Sequence, residues 1–452
     1  MEQWDKACAL HLKGDFAEAE KLYDELLTQN HNNPGLLATL GTMYCQMGKM
    51  GLAICLLEYA VRLGFKQDDV LSNLGMAYKF SGQREKAMKF FEESIKDNPS
   101  GEVLANYSAL FVEAGEDDKC RTICKRAIDL SPNHFLAHWN LSLALLADGK
   151  WETGWDEYDW GLKPGGLRAN RVLGGKPQWD GTPGKKVAVY GEQGIGDEIM
   201  FASMLPDIMK TNPILIECHT RLKTLFEKSF GVKCFGTRED PDPEWAKTED
   251  FDYQISMGSL GKFYRRSRAE FPGTEYMKTE PLPKGNKFRI GVSWTGGGQK
   301  LGRVQKRSVP LSWWKSILNQ KDVEFVSLQY TNCEEELKLV KALGYDIKTM
   351  DEYAKAEDYY ETAKLVASCD LVITICTSVV HLAGALGVPC WVMTPKFPAW
   401  RYQNTGGMPW YKSVRLYRNP EIDQSGWPVV IERVALDLEE LLHGKVKEVA
   451  YA

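Results

Sequence analysis

The chain lacks any CxxC pair although it holds 11 cysteines, and the closest two, Cys120 and Cys124, stand four apart inside a helical pattern. That spacing fits reduced, mostly buried thiols in a cytoplasmic protein and not a disulfide framework. An excess of one charge sign is also missing. The 56 basic and 61 acidic residues leave a formal charge of -5, so nothing draws the whole molecule to polyanions, though a local basic patch is still able to bind phosphate. The first residues, from Met1 to Leu12, read as a mixed charged and apolar helix without the basic start and apolar stretch of a signal peptide, so a cytoplasmic location is expected. One uncharged run, residues 371–395, has the length of a membrane span. His381, Gly384, Gly387 and Pro389 break it into strand, turn, helix and strand, and no membrane span is expected.

What the sequence does contain is a repeat. Gly41, Tyr44, Gly48 and Ala53 return 34 residues later as Gly75, Tyr78, Gly82 and Ala87. This is the tetratricopeptide period. An earlier copy carries Gly14, Ala19 and Tyr23, a fourth Gly115, Ala127 and Pro132, and a fifth Gly149 and Tyr158. Small residues at fixed places let paired helices approach closely, and Pro34, Pro99 and Pro132 are expected to stop the second helix of a pair. About five helix pairs stacked as an α-solenoid are expected over residues 1–163.

Beyond Trp160 the period ends, and residues 161–184 are rich in Gly and Pro, as a connector would be. Strands and helices then alternate: VAVY, a helix from about Asp197, ILIEC, a helix from about Arg221, VKCF and a strand near Tyr253. A second connector, residues 279–287, leads to another such series through RIGVSW, VEFVSLQY, LVITI and CWVMT. The order predicts two doubly wound, Rossmann-like α/β lobes, over 164–286 and 287–452. Between the carboxyl ends of their strands lies the place where such sheets bind ligands.

Three motifs fall at strand ends. In VAVYGEQGIGDEIMF, Gly191, Gly194 and Gly196 make a tight turn able to aim N–H groups at an anion. It is neither a Walker A loop, for want of Gly-Lys-Ser/Thr, nor the dinucleotide fingerprint, which disfavours an oxidoreductase. Asp197 has two readings, a carboxylate capping the helix or a base for an acceptor hydroxyl. In VSWTGGGQKLGRVQKRSVPL, a glycine run from Thr295 and Gly296 precedes Lys300, Arg303, Lys306 and Arg307. The loop is either a solvated charged surface or a site that neutralises a diphosphate leaving group. In LVITICTSVVHLAGALG, Thr377 and Ser378 open an apolar helix with His381 one turn in. There His381 is either a satisfied core residue or a phosphate contact. The HFLAH pair, His134 and His138, lacks the Glu of a metalloprotease and is read as packing. The aromatic segment FPAWRYQNTGGMPWYKSVRLY fits either base stacking or core packing.

Together with WETGWDEYDWGL, QWDGTP, RSVPL, FVSLQ, HLAGALG and PAWRY, these motifs make the chain resemble tetratricopeptide-repeat proteins whose C-terminal half is similar to heptosyltransferases (glycosyltransferase family nine) and, more distantly, to protein O-GlcNAc transferases. The resemblance covers nearly the whole length. It implies a GT-B module and inverting transfer from a nucleotide sugar as substrate, with no metal or other cofactor. It implies Asp197 as the base, and donor contacts at Gly194, Gly196, Thr295, Gly296, Lys300, Arg303, Arg307, Gln329, Cys376, Thr377, Ser378, His381 and Arg401. Many relatives carry Asp where this chain has Cys376, which bears on donor preference. The acceptor is expected to be a protein, peptide or glycan, with a modified DNA base as a further option and a protein partner in the repeat groove. The rival expectation is a catalytically inactive repeat scaffold or nucleotide-sugar sensor.

Overall fold

A computed structural model describes residues 2–96, 99–296 and 308–444. The chain divides into two compact units, residues 1–144 and 145–452.

The first unit consists of antiparallel helix pairs: Glu2–Lys13 with Phe16–Gln29, Pro34–Gln46 with Met50–Arg62, Asp68–Phe80 with Arg84–Ser94, and Gly101–Ala114 with Asp117–Leu130. Each pair turns through a glycine in the left-handed region, with φ of 85° at Gly14, 74° at Gly48, 75° at Gly82 and 63° at Gly115. Position by position, Ala19, Ala53, Ala87 and Cys120 are fully buried, and so are Tyr23, Leu57, Phe91 and Cys124 four residues on. Gly41 faces Leu57 and Gly75 faces Phe91, and the small residues Ala7 and Ser108 hold the equivalent sequence positions in the first and fourth pairs. A Cβ on Gly75 would lie 2.9 Å from the Phe91 ring, so the glycine is what lets that pair close. These are tetratricopeptide-type repeats, with the close pairing that the sequence predicts. Pro34 acts differently from the expectation: it is the first residue of its helix, where a missing N–H costs nothing, and Asn33 caps that helix through the Leu36 N–H.

The expected end of the solenoid is residue 163, and the two compact units divide between residues 144 and 145. The helix Phe135–Ala147 crosses that division, and the helix Trp151–Tyr158 lies wholly in the second unit. The reason is aromatic packing. Trp155 stands edge-on to Trp400, with centroids 5.5 Å apart, and covers Gly261 so closely that a Cβ there would come within 2.6 Å of its ring.

The second unit carries two parallel sheets. The first runs β3-β2-β1-β4, from β1 (Val187–Tyr190), β2 (Ile214–Glu217), β3 (Cys234–Phe235) and β4 (Tyr253–Ser256). The second runs β6-β5-β7-β8-β9, from β5 (Phe288–Ser293), β6 (Val323–Ser327), β7 (Leu371–Ile375), β8 (Cys390–Thr394) and β9 (Val414–Arg418). Every residue of β1, β2, β7 and β8 is buried, as parallel strands covered on both faces require. In the second sheet Ile290, Val292, Ile373, Ile375, Trp391 and Met393 meet Trp427, Val430, Ile431, Val434 and Leu438 of the final helix, Trp427–Leu442. Residues 371–395 form β7, the helix Ser378–Ala385 and β8. Among the described residues no helix is long and apolar enough to cross a membrane.

Strand order reverses beside β1 in one sheet and between β5 and β7 in the other. All three glycine- or hydroxyl-rich motifs follow these strands, so each sits at the reversal point of its sheet.

Candidate active site

The turn after β1 is held from several sides. Gln193 adopts a left-handed backbone, φ 64°, in a residue type that rarely does so. Its Nε2 donates to the Tyr158 hydroxyl at 2.6 Å, and its carbonyl accepts from Arg238 Nη1 at 2.7 Å. Asp197 then closes the turn: its Oδ2 accepts from the Gly194 N–H at 3.2 Å, which is the capping role. Its Oδ1 pairs with Arg401 Nη2. Both side chains are mostly enclosed, at 19% and 17% exposure.

Gly196 packs directly on the helix Ser378–Ala385 of the other sheet. A Cβ there would lie 3.2 Å from both Ser378 Cα and His381 Cδ2. At the start of that helix, Thr377 caps the Val379 N–H at 3.3 Å, and Ser378 Oγ accepts from the Tyr359 hydroxyl at 3.0 Å. His381 is enclosed, with Nδ1 3.3 Å from the Tyr411 hydroxyl and Nε2 3.5 Å from the Tyr402 hydroxyl. Burial, and then the Arg401 cation, push its pKa well below the usual 6.5, so the ring is neutral. It is thus a hydrogen-bonded, uncharged residue at the foot of the Asp197 turn.

Gln329 is wholly used by the protein. Its Oε1 accepts from Ser293 Oγ and from the Trp294 and Thr295 N–H groups, and its Nε2 donates to the Thr295 carbonyl and Thr331 Oγ1. It shapes the loop after β5 with no hydrogen left for a ligand. Gly296 is buried, and a Cβ on it would meet nothing within 4 Å among the described residues. Lys300, Arg303, Lys306 and Arg307 lie outside the described residues. Cys376 is buried at the carboxyl end of β7, in the electrostatic field of Arg418. Among the described residues no group of three or more His, Cys, Asp or Glu is placed to hold a metal.

Sequence reasoning missed three buried ion pairs beneath the turn. Arg168 grips Glu192, Arg171 grips Glu217 at the end of β2, and Arg238 grips Glu198. Glu192, Glu198 and Glu217 are all fully buried. Desolvation pushes Glu198 up to about 7, against the pull of Arg238 and of the His219 N–H at 2.9 Å. Arg168 and Arg171 belong to the Gly- and Pro-rich connector, where an arginine looks like solvated linker. The one available signal was the adjacency of Glu192 and Glu198 to a motif at a strand end.

A family model described as Tetratricopeptide repeat matches residues 68–100. Protein FlbA of Caulobacter vibrioides is 27% identical over 462 aligned positions, which cover 96% of this chain and 72% of FlbA. Tetratricopeptide repeat protein 8 of Caenorhabditis elegans is 23% identical over 140 positions, 30% of this chain and 28% of that protein. Among solved structures, MamA is 22% identical with a TM-score of 0.31, over 34% of this chain and 91% of its own. A thermophilic tetratricopeptide-repeat protein of Thermus thermophilus is 19% identical with a TM-score of 0.33, over 37% of this chain and 92% of its own.

Proposed function

We propose that the chain is an inverting glycosyltransferase of GT-B type, in which the lobe built on β1–β4 takes the acceptor and the lobe built on β5–β9 takes a nucleotide sugar. The observation that carries this reading is the meeting of Gly196 and Asp197, at the strand reversal of one sheet, with Ser378, His381 and Arg401 of the other. The motif resemblance to glycosyltransferase family nine supports it.

In the reaction, the acceptor hydroxyl oxygen bonds to the anomeric carbon while the bond from that carbon to the diphosphate breaks. The electron pair leaves with the nucleoside diphosphate, and the hydroxyl proton passes to Asp197. A single displacement inverts the anomeric centre. Arg401, Thr377, Ser378 and the loop from Thr295 through Arg307 would meet the negative charge that develops on the leaving group. His381 and Gln329 brace these groups through the hydrogen bonds they make within the protein. The repeats suit a protein or peptide partner. Eleven cysteines without a disulfide fit a reducing, cytoplasmic setting.

A second reading, a nucleotide-sugar sensor without turnover, draws on Cys376 in place of the family Asp and on the engagement of both Asp197 oxygens. A panel of nucleotide sugars separates the two, with thermal stabilisation and release of nucleoside diphosphate measured side by side. The transferase reading expects one donor to bind and turn over, and Asp197→Asn to keep binding while losing about 10²- to 10⁴-fold in rate. Binding without turnover in the wild type establishes the sensor instead.

A further inference from the structure

Arg401 engages far fewer partners than a guanidinium offers. Of five N–H donors, Nη2 alone bonds within the described residues, to Asp197, and the buried Nε has no partner. The loop that presents it is nevertheless firmly built. Gln403 holds a left-handed backbone, φ 57°, and its Nε2 donates to the Leu146 carbonyl at 2.6 Å and the Trp400 carbonyl at 3.0 Å. Arg418 takes the carbonyls of Gln403, Tyr402 and Gly406 at 2.8, 2.9 and 3.0 Å. The backbone around Arg401 is thus held, while its guanidinium lies over the Trp400 ring, 5.7 Å from the centroid, with Asp197 as its one hydrogen-bonded partner among the described residues. On the other side of the pair, Asp197 has Oδ1 turned to Arg401 and Oδ2 to the Gly194 N–H, so each carboxylate oxygen already accepts one hydrogen bond and is the weaker base for it.

We infer that Arg401 is a donor-operated latch: it covers the Asp197 carboxylate until the diphosphate of a nucleotide sugar draws the guanidinium away, so that the base is uncovered only once a donor is seated. This rests on the transferase reading and adds an order of events to it. A diphosphate is the right competitor. It carries more charge than a carboxylate and presents paired oxygens to the planar fork, satisfying the N–H groups that Asp197 leaves unused. Such coupling keeps the acceptor or water from being activated before there is a sugar to attack.

The test reads the accessibility of Asp197 directly. The full chain is treated with a water-soluble carbodiimide and glycinamide, with and without saturating inorganic pyrophosphate, and modification at Asp197 is quantified by peptide mass spectrometry. Pyrophosphate is expected to raise the labelling rate of Asp197 at least about fivefold, the lower end of typical coupling between two sites. Arg401→Gln is expected to label at the higher rate in both conditions. Unchanged or slower labelling of the wild type with pyrophosphate, or failure of pyrophosphate to bind at all, overturns the latch, and that comparison holds even where the variant does not fold. Turnover of a nucleotide sugar by a preparation whose Asp197 labelling ignores pyrophosphate removes the latch and leaves the transferase standing. Absence of donor binding and turnover across the panel removes the transferase itself.

Discussion

Gly196→Ala and Gly51→Ala place the same methyl group at the second position of a helix, yet the structure predicts opposite signs. Gly51 follows Met50 at the start of the helix Met50–Arg62, and a Cβ there meets nothing within 4 Å. Alanine then restricts the unfolded backbone at no cost in the folded state and stabilises by roughly 0.5 to 1 kcal/mol. Gly196 follows Ile195 at the start of the helix Ile195–Phe201, and its Cβ would stand 3.2 Å from Ser378 Cα and from His381 Cδ2, and 3.4 Å from Ser378 Cβ. One neighbour is backbone, and the other is a ring held at both nitrogens by tyrosine hydroxyls, so neither swings aside as a long side chain would. Overpacking of this kind costs about 1 to 3 kcal/mol, and with neighbours that cannot yield it outweighs the backbone gain, for a net loss of up to about 2.5 kcal/mol. Urea unfolding, with each variant compared with the wild-type transition of its own unit, measures both. A Gly196→Ala protein as stable as the wild type, or more so, refutes the claim that the two lobes meet through a glycine, because the contact would then have room to spare.

Two further outcomes follow from the buried charges. His381 is neutral in the folded protein and titrates near 6.5 when unfolded, so below that pH the unfolded chain takes up a proton that the folded one refuses. The stability it contributes is full above pH 6.5 and falls by about 1.4 kcal/mol per pH unit as the pH drops below it. Glu198, raised to about 7, acts in the opposite sense and is common to both proteins, so the difference in slope between the wild type and His381→Gln isolates the histidine; parallel slopes between pH 6.5 and 5.5 would sink the assignment. Arg168→Leu leaves Glu192 buried without its cation and should cost about 3 to 5 kcal/mol in urea unfolding. Lys338→Ala, which breaks an exposed i,i+3 pair with Glu335, should stay within about 0.5 kcal/mol. Equal losses would show that burial of the Arg168 pair has been misjudged.

The repeats, eight of the nine strands among the described residues and the turns after β1 and β7 were legible because each depends on local periodicity: a small residue every 34 positions, or an apolar run followed by glycine or hydroxyl. β9 was hidden inside a segment read for its aromatics, since Arg415 and Arg418 interrupt the apolar pattern that marked the other strands. The pairing of Asp197 with Arg401 joins residues 204 apart, and that of Arg168 with Glu192 turns an apparent linker into part of the site's foundation. No spacing rule reaches such contacts, because they arise where separate elements are brought together by burial. The same holds for the role of His381. Its place in the first turn of a helix was plain from the sequence, but whether it is a charged ligand or a neutral support depends on solvent, and only the packing of Gly196, Tyr402 and Tyr411 around it removed the water that would have stabilised the imidazolium.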